Sequence, residues 1–176
     1  MSRMLARGCA AALALAISAG AALVPLSSPV SAQQPAAMTN APYGPPITLD
    51  QAKRAMAAAE LEATKNSLQV AITILDSGGN MVMFHRFDNT QISAVTVSEG
   101  KARTALEFKR PSKALDDAIA GGGAGMRLLA LKNITPIEGG LPMLIDGKIV
   151  GAIGVSGALS AQDSQIAKAG VDELAK

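Results

Sequence analysis

Apolar residues recur every three or four positions after Ile47, a pattern that predicts an amphipathic helix ending near Asn66. The repeating positions are Leu49, Ala52, Met56, Ala59 and Ala63. Thr48 and Gln51 have the spacing of a capping box, in which the Thr48 hydroxyl accepts a hydrogen bond from the Gln51 amide. We therefore expect the first helix to begin at Thr48.

Four short apolar runs predict two β-hairpins. Val70–Leu75 and Met81–Phe87 flank a turn that contains two glycines, which permit a positive φ. Leu141–Ile145 and Ile149–Val155 flank Asp146-Gly147, a dipeptide that strongly favours a tight hairpin turn. Because hairpin strands pair antiparallel, these runs predict an antiparallel sheet.

Helical patterns occupy most of the remaining chain. They predict helices over Ile92–Phe108 and Ser112–Ile119, a short helix from Gly125 to Leu131, and a final helix through Ala175 that is capped by Ser160. The order is helix, hairpin, helix, irregular segment, hairpin, helix. The predicted fold class is therefore α+β, with a central antiparallel sheet flanked by helices, and a doubly wound nucleotide-binding fold is excluded.

Glycine recurs at every third position of the last predicted strand, at Gly151, Gly154 and Gly157. Glycine weakens a strand, so this repeat indicates that something packs very close to the backbone. The neighbour is a helix, another subunit or a ligand. The glycine-rich run 121–125 lacks the ending of a phosphate-binding loop and is interpreted as a connector.

The first 32 residues have the layout of a secretory signal peptide. Arg3 and Arg7 precede an apolar run from about Ala10 to Val24, and Val30-Ser31-Ala32 forms a small-x-small cleavage site. This pattern predicts a periplasmic or secreted protein without a stable membrane anchor after cleavage. Residues 33–46 contain four prolines and are predicted to be a flexible arm, and residues 47–176 to be one domain.

Charge and cysteine content exclude several function classes. The chain has 16 basic and 14 acidic residues, and loss of Arg3 and Arg7 with the signal peptide makes the two numbers equal. A basic nucleic-acid-binding surface is therefore not expected. The only cysteine, Cys9, lies in the predicted signal peptide, so the mature protein is expected to have no disulfide and no thiolate ligand.

His85 is the only histidine, which excludes a metal site with two histidines. Alternation along the strand is expected to place Met81, Met83, His85 and Phe87 on one face. A histidine on a face that carries methionines is typical of an axial haem ligand, although a structural or surface role is the plainer interpretation. The candidate cations for the haem propionates are Arg86, Lys101 and Arg103.

Charged residues near the end of the second strand have two interpretations. They are either a surface cluster of ion pairs, which stabilises the fold little, or the polar mouth of a pocket between strand and helix. If the protein is an enzyme, Glu99, Asp88 and His85 are the available acid–base groups. No residue is assigned a catalytic role.

Four segments together resemble the GlcG/HbpS-like family, whose members are described as haem-binding or haem-degrading domains. The segments are Ala71–Asn80, Phe84–Asp88, Lys101–Ala105 and Gly139–Gly157. The resemblance extends from about Ile47 to Leu174, which is nearly all of the predicted mature chain.

This resemblance implies a profilin-like α+β domain that assembles into homo-oligomers, from dimers to octamers. It also implies an exported haem-binding protein, in haem or iron handling or in redox sensing, with His85 as the first residue to test as metal ligand and a pocket near the helix of Lys101. Related domains are fused to corrinoid adenosyltransferases or encoded in glycolate-utilisation loci. The alternatives are therefore an enzyme or accessory protein acting on a small oxygenated metabolite, or a structural module without a ligand.

Overall fold

A computed structural model describes residues 40–176 of the chain. The predicted signal peptide and the first part of the predicted arm lie outside the described residues. The elements, in chain order, are α1 (Leu49–Lys65), β1 (Ala71–Asp76), β2 (Met81–Arg86), α2 (Ser93–Glu107), α3 (Lys113–Ala120), a 3-10 helix (Gly123–Ala130), β3 (Gly140–Ile145), β4 (Lys148–Ser156) and α4 (Ser160–Leu174).

The predicted capping box at the start of α1 is confirmed. The Gln51 amide donates to the Thr48 hydroxyl at 3.3 Å, and the Thr48 amide donates to the Gln51 side chain at 2.9 Å. The predicted cap of α4 is wrong by one residue, because Leu159 is the cap and Ser160 is already helical. The Leu159 amide donates to the Gln162 side chain at 3.2 Å, which satisfies the cap without the serine hydroxyl.

The four strands form one antiparallel sheet in the order β2-β1-β4-β3. This arrangement confirms the predicted α+β class and places β2 and β3 at the edges. Helices α1 and α4 pack on one face of the sheet around Ile72 and Ile74, whereas α2 packs on the other face around Leu75. Because adjacent strand residues point to opposite faces, each side chain of the sheet belongs to one of these two layers.

The glycine repeat in β4 marks a close approach of backbones within the chain. A Cβ at Gly154 would lie 2.5 Å from the backbone nitrogen of Ala102, in α2. A Cβ at Gly157 would lie 2.8 Å from the Cα of Val70, and its φ of +143° also disfavours a side chain. The expected close neighbour exists, and at Gly154 it is a helix.

The last residues of the predicted arm are fixed against the sheet. The Gly44 amide donates to the Ile149 carbonyl at 2.8 Å, and the Ile149 amide donates to the Pro42 carbonyl at 2.9 Å. The Tyr43 hydroxyl donates to the Leu106 carbonyl at 2.9 Å. The prediction of a flexible arm therefore does not apply to the segment from Pro42 onward. No helix within residues 40–176 has the length and apolar character needed to cross a membrane.

Candidate functional site

His85 lies on β2, at the edge of the sheet, and faces helix α1. It pairs with Ile72 across the strands, and its Nδ1 forms a hydrogen bond with the Glu60 carboxylate on α1. The His85 side chain is 46% exposed, so a ligand can reach the ring from solvent. The edge position and this exposure leave the His85 ring accessible as a metal-ligating group.

The hydrogen bond to Glu60 determines which ring nitrogen of His85 is free. An ionised carboxylate only accepts hydrogen bonds, so Nδ1 carries the proton that is shared with Glu60. In the neutral ring Nε2 then has a free electron pair, which is the form of histidine that binds metal ions. The pair is therefore arranged as a metal-ligating histidine with a supporting carboxylate.

The predicted methionine-bearing face is only partly present. The pairing between β1 and β2 shifts at a bulge, where Ile74 is opposite Met83 but the next residue, Leu75, is opposite Met81. Leu75 packs on the α2 side of the sheet, so Met81 lies opposite a residue of the other layer. The expectation that Met81 shares the His85 face is wrong, because a bulge changes the alternation of side chains.

A cleft opens between the ends of α1 and β2, next to the pair of Glu60 and His85. It has a volume of about 380 Å³, within the usual range for small-molecule pockets (roughly 300–1,000 Å³). We call it the α1–β2 cleft, and its lining residues are Thr64, Ser67, Leu68, Gln69, Phe87, Asp88 and Asn89. Thr64 is one helical turn beyond Glu60, and Phe87 directly follows the end of β2, two residues after His85, so the cleft continues the surface that carries the pair.

Lys101 does not line this cleft and lies inside the protein, between α2 and α4. Its Nζ donates to Asp163 at 2.8 Å and to the Val155 carbonyl at 2.9 Å. Burial raises the pKa of the Asp163 carboxyl, against the opposing effect of the Lys101 ammonium. Lys101 is 1% exposed, so its ammonium is not accessible to a haem propionate at the surface.

Arg86 and Arg103 lie at opposite ends of the first hairpin. Arg86 is exposed and pairs with Ala71 at the end of β2. Its side chain alternates with that of His85 to the other face of the sheet, and it does not line the α1–β2 cleft. The guanidinium of Arg103 approaches Gly79 in the turn at the other end, and it donates to Glu99 at 3.0 Å. Within one chain the structure therefore does not bring His85, Arg86, Lys101 and Arg103 into a single site.

A second cleft lies beside α2, on the other side of the sheet. This α2 cleft has a volume of about 520 Å³ and a mainly polar lining: Thr96, Glu99, Gly100, Arg103, Glu107, Lys132, Asn133, Ile134 and Thr135. Of the three acid–base groups predicted from sequence, Glu99 lies here, whereas Asp88 and His85 lie on or next to the α1–β2 cleft. Within residues 40–176 no group of three His, Cys, Asp or Glu side chains is arranged to hold a metal ion.

Comparison with known proteins finds a family match over most of the described chain. The family described as haem degrading protein HbpS-like matches residues 47–172. Protein GlcG of Escherichia coli (strain K12) is 38% identical over 110 residues, which are 62% of this chain and 81% of GlcG.

Solved structures that share the fold include two with related names. A double mutant of Streptomyces reticuli HbpS has a TM-score of 0.68 and 28% identity, with 85% of this chain and 99% of that chain covered. The structure of a PduOC–haem complex has a TM-score of 0.67 and 23% identity, with 73% and 94% covered, and this likeness shows the fold alone.

Proposed function

Because the chain belongs to the family of HbpS-like haem-degrading proteins, we propose that it is an exported, oligomeric protein that binds haem through His85. Its proposed role is in haem or iron handling or in redox sensing. The predicted signal peptide supports export, and the family supports haem as the ligand. The proposal assigns no catalytic residue.

The observation that carries this proposal is the hydrogen bond between Glu60 and His85. It leaves Nε2 of an exposed ring free, as an axial ligand of haem iron requires. An unsupported surface histidine would sample several ring orientations, whereas this ring is held by a second residue. His85 is therefore the proposed metal ligand.

The surroundings of His85 fit a haem group. Phe87 and Leu68 give the α1–β2 cleft apolar surface for the porphyrin, and both also pack against the main core. Arg86 is an exposed cation next to His85 in this edge strand, on the other face of the sheet, so it is the proposed partner of a propionate that extends past the sheet edge. When bound, haem would supply an iron centre for redox chemistry, and this chain would orient it and limit its contact with water.

The family supports haem over other ligands. It is described as haem degrading, and one solved neighbour at 28% identity is HbpS, the protein after which the family is named. The only histidine of the sequence, His85, lies on β2. We propose that this residue binds the iron.

The test is a hemin titration of untagged protein, since the histidines of an affinity tag would bind hemin. We expect a shift of the Soret band in the wild type and its loss or weakening in His85→Ala. Glu99→Gln, on the other side of the sheet, is the matched control and should behave as the wild type. A wild type without a Soret shift overturns haem binding, and an unchanged shift in His85→Ala overturns the assignment of the ligand.

Export and assembly have their own measurements. Amino-terminal sequencing should show that the protein recovered outside the cytoplasm begins at Gln33, whereas recovery of the uncleaved chain from the cytoplasm contradicts export.

Assembly is tested by native mass spectrometry, which reports the number of chains and of retained haem groups together. A monomer at micromolar concentration would contradict the proposed oligomer.

A second candidate function is the binding of a small oxygenated acid in the α2 cleft. It is supported by the polar lining, which presents Arg103 and Lys132 on a side of the sheet that His85 does not reach. Small 2-hydroxy acids should then raise the melting temperature of the wild type but not of Arg103→Gln. No shift with the wild type removes this candidate.

A further inference from the structure

We infer that Glu60 is a positioning residue for the proposed iron ligand: it holds His85 in the Nδ1-protonated form and thereby lowers the reduction potential of the bound haem iron. This inference rests on the proposed function for its redox part. Its structural part concerns the protein without haem.

The position of Glu60 in α1 directs its carboxylate to β2. The helix buries Met56 and Ala59 against the sheet, and Glu60 follows them at the margin of this buried face. The Thr64 hydroxyl donates to the Glu60 main-chain carbonyl at 2.8 Å and so does not compete for the carboxylate. His85 is thus bound by a side chain whose backbone is fixed in a regular helix.

Glu62, two residues further along α1, has a different environment. Its carboxylate accepts from Gln165 at 2.6 Å and from Asn66 at 3.1 Å, and lies 3.8 Å from the Lys65 ammonium. Within residues 40–176 the carboxylate of Glu60 has only His85 as a hydrogen-bond or ion-pair partner. The negative charge of Glu60 is therefore not shared with a lysine or arginine of the described chain.

The hydrogen bond between Glu60 and His85 would affect a bound iron through the imidazole ring. A carboxylate that accepts the Nδ1 proton increases the electron density on Nε2 and makes it a stronger ligand. A stronger donor and a nearby negative charge both stabilise the ferric iron more than the ferrous iron. Glu60 is therefore expected to lower the reduction potential and to increase the affinity for ferric haem.

The first test uses the protein without haem. Because the chain has a single histidine, the ring nitrogens of untagged, ¹⁵N-labelled protein give one pair of NMR signals. In mildly alkaline buffer we expect a protonated Nδ1 in the wild type and in Glu62→Gln, and a change towards protonated Nε2 in Glu60→Ala. Identical spectra for Glu60→Ala and the wild type overturn the assignment of Glu60.

The second test measures the haem-loaded protein. We expect a higher midpoint potential for Glu60→Gln than for the wild type, and a roughly 10–100-fold loss of hemin affinity. Glu62→Gln should match the wild type, and Glu60→Asp, which keeps a carboxylate, should recover part of the effect. Equal midpoints for Glu60→Gln and Glu62→Gln overturn the redox role.

The two tests separate the failure of this inference from the failure of the proposed function. If the wild type does not bind hemin, or if His85→Ala binds it unchanged, the proposed function and the redox role both fall. The NMR comparison still decides whether Glu60 sets the protonated nitrogen of His85. If hemin binds through His85 and the Glu60 variants change neither spectrum nor potential, only the inference falls.

Discussion

Lys101 and Asp163 form an ion pair that is shielded from water between helices α2 and α4. The Lys101 ammonium lies 2.8 Å from one carboxylate oxygen, and the other oxygen accepts from the Ala158 amide at 3.0 Å. Both side chains are 2% exposed. The pair joins helices from opposite faces of the sheet, so it connects the two packing layers.

Removal of one partner from this pair should be strongly destabilising. Lys101→Met leaves the Asp163 carboxylate buried without a counter-ion, which costs about 3–5 kcal/mol of unfolding free energy. The combined change Lys101→Met and Asp163→Asn removes both charges and keeps an acceptor for the Ala158 amide. We expect the double variant to be more stable than Lys101→Met in urea unfolding, and the reverse order would contradict the assigned role of the pair.

Gly154 should not tolerate a methyl group. Its Cβ would lie 2.5 Å from the Ala102 nitrogen, so Gly154→Ala forces α2 away from the sheet. Overpacking of this kind costs about 1–3 kcal/mol. Gly121→Ala is the matched control because Gly121 has helical dihedrals (φ −70°, ψ −10°) and its nearest contact is 3.4 Å away. Equal urea midpoints for the two variants would show that α2 is not in close contact with β4.

Asp76 should make stability depend on pH in the acidic range. Burial tends to raise its pKa, but hydrogen bonds from Asn80 and from the amides of Gly78 and Gly79 outweigh burial and lower the pKa below its ordinary value. A carboxyl with a lowered folded-state pKa stabilises the protein above its unfolded-state pKa, and this contribution disappears as the pH falls through the folded-state pKa.

The measurement is the difference in urea midpoint between the wild type and Asp76→Asn as a function of pH. We expect the wild type to lose its advantage as the pH falls below about 4, the ordinary range of an aspartate. Asp88→Asn is the control, because no hydrogen bond holds the Asp88 carboxylate within the described chain. A constant difference for Asp76→Asn would contradict the lowered pKa.

Local signals were sufficient to predict most of the fold. Asp146 and Gly147 have φ values of +49° and +71°, as a two-residue hairpin turn of type I′ requires, and the dipeptide alone predicts this turn. The capping box at Thr48 is equally local. The sequence pattern places the cap of α4 one residue too late. The Gln162 side chain accepts a hydrogen bond from the Leu159 amide, so a residue without a polar side chain can be the cap and the Ser160 hydroxyl is not needed.

The site depends on contacts that local signals do not contain. Glu60 and His85 are 25 positions apart, and their meeting depends on the rotation of α1 against the sheet. From local sequence alone, Lys101 is interpreted as an exposed cation of a helix. Its buried partner, Asp163, lies 62 positions later in the chain, so only the folded structure shows the pair. The bulge opposite Leu75 is likewise a feature of strand pairing that the sequence does not reveal. Simple alternation along the strand therefore assigns Met81 to the wrong face.

The two arginines proposed from sequence for the propionates should differ in their effect on haem binding. Arg86 is exposed at the end of β2, next to His85, whereas Arg103 lines the α2 cleft and donates to Glu99. An exposed charged contact contributes about 0.2–1 kcal/mol, so Arg86→Gln should weaken hemin affinity by up to about fivefold. Arg103→Gln changes the same type of residue on the other side of the sheet and should leave the affinity unchanged.

Hemin titrations followed at the Soret band, in low and in high salt, measure the affinity of both variants. The difference between the variants should shrink in high salt because the contact is electrostatic. A larger loss in Arg103→Gln would move the proposed haem site to the α2 cleft.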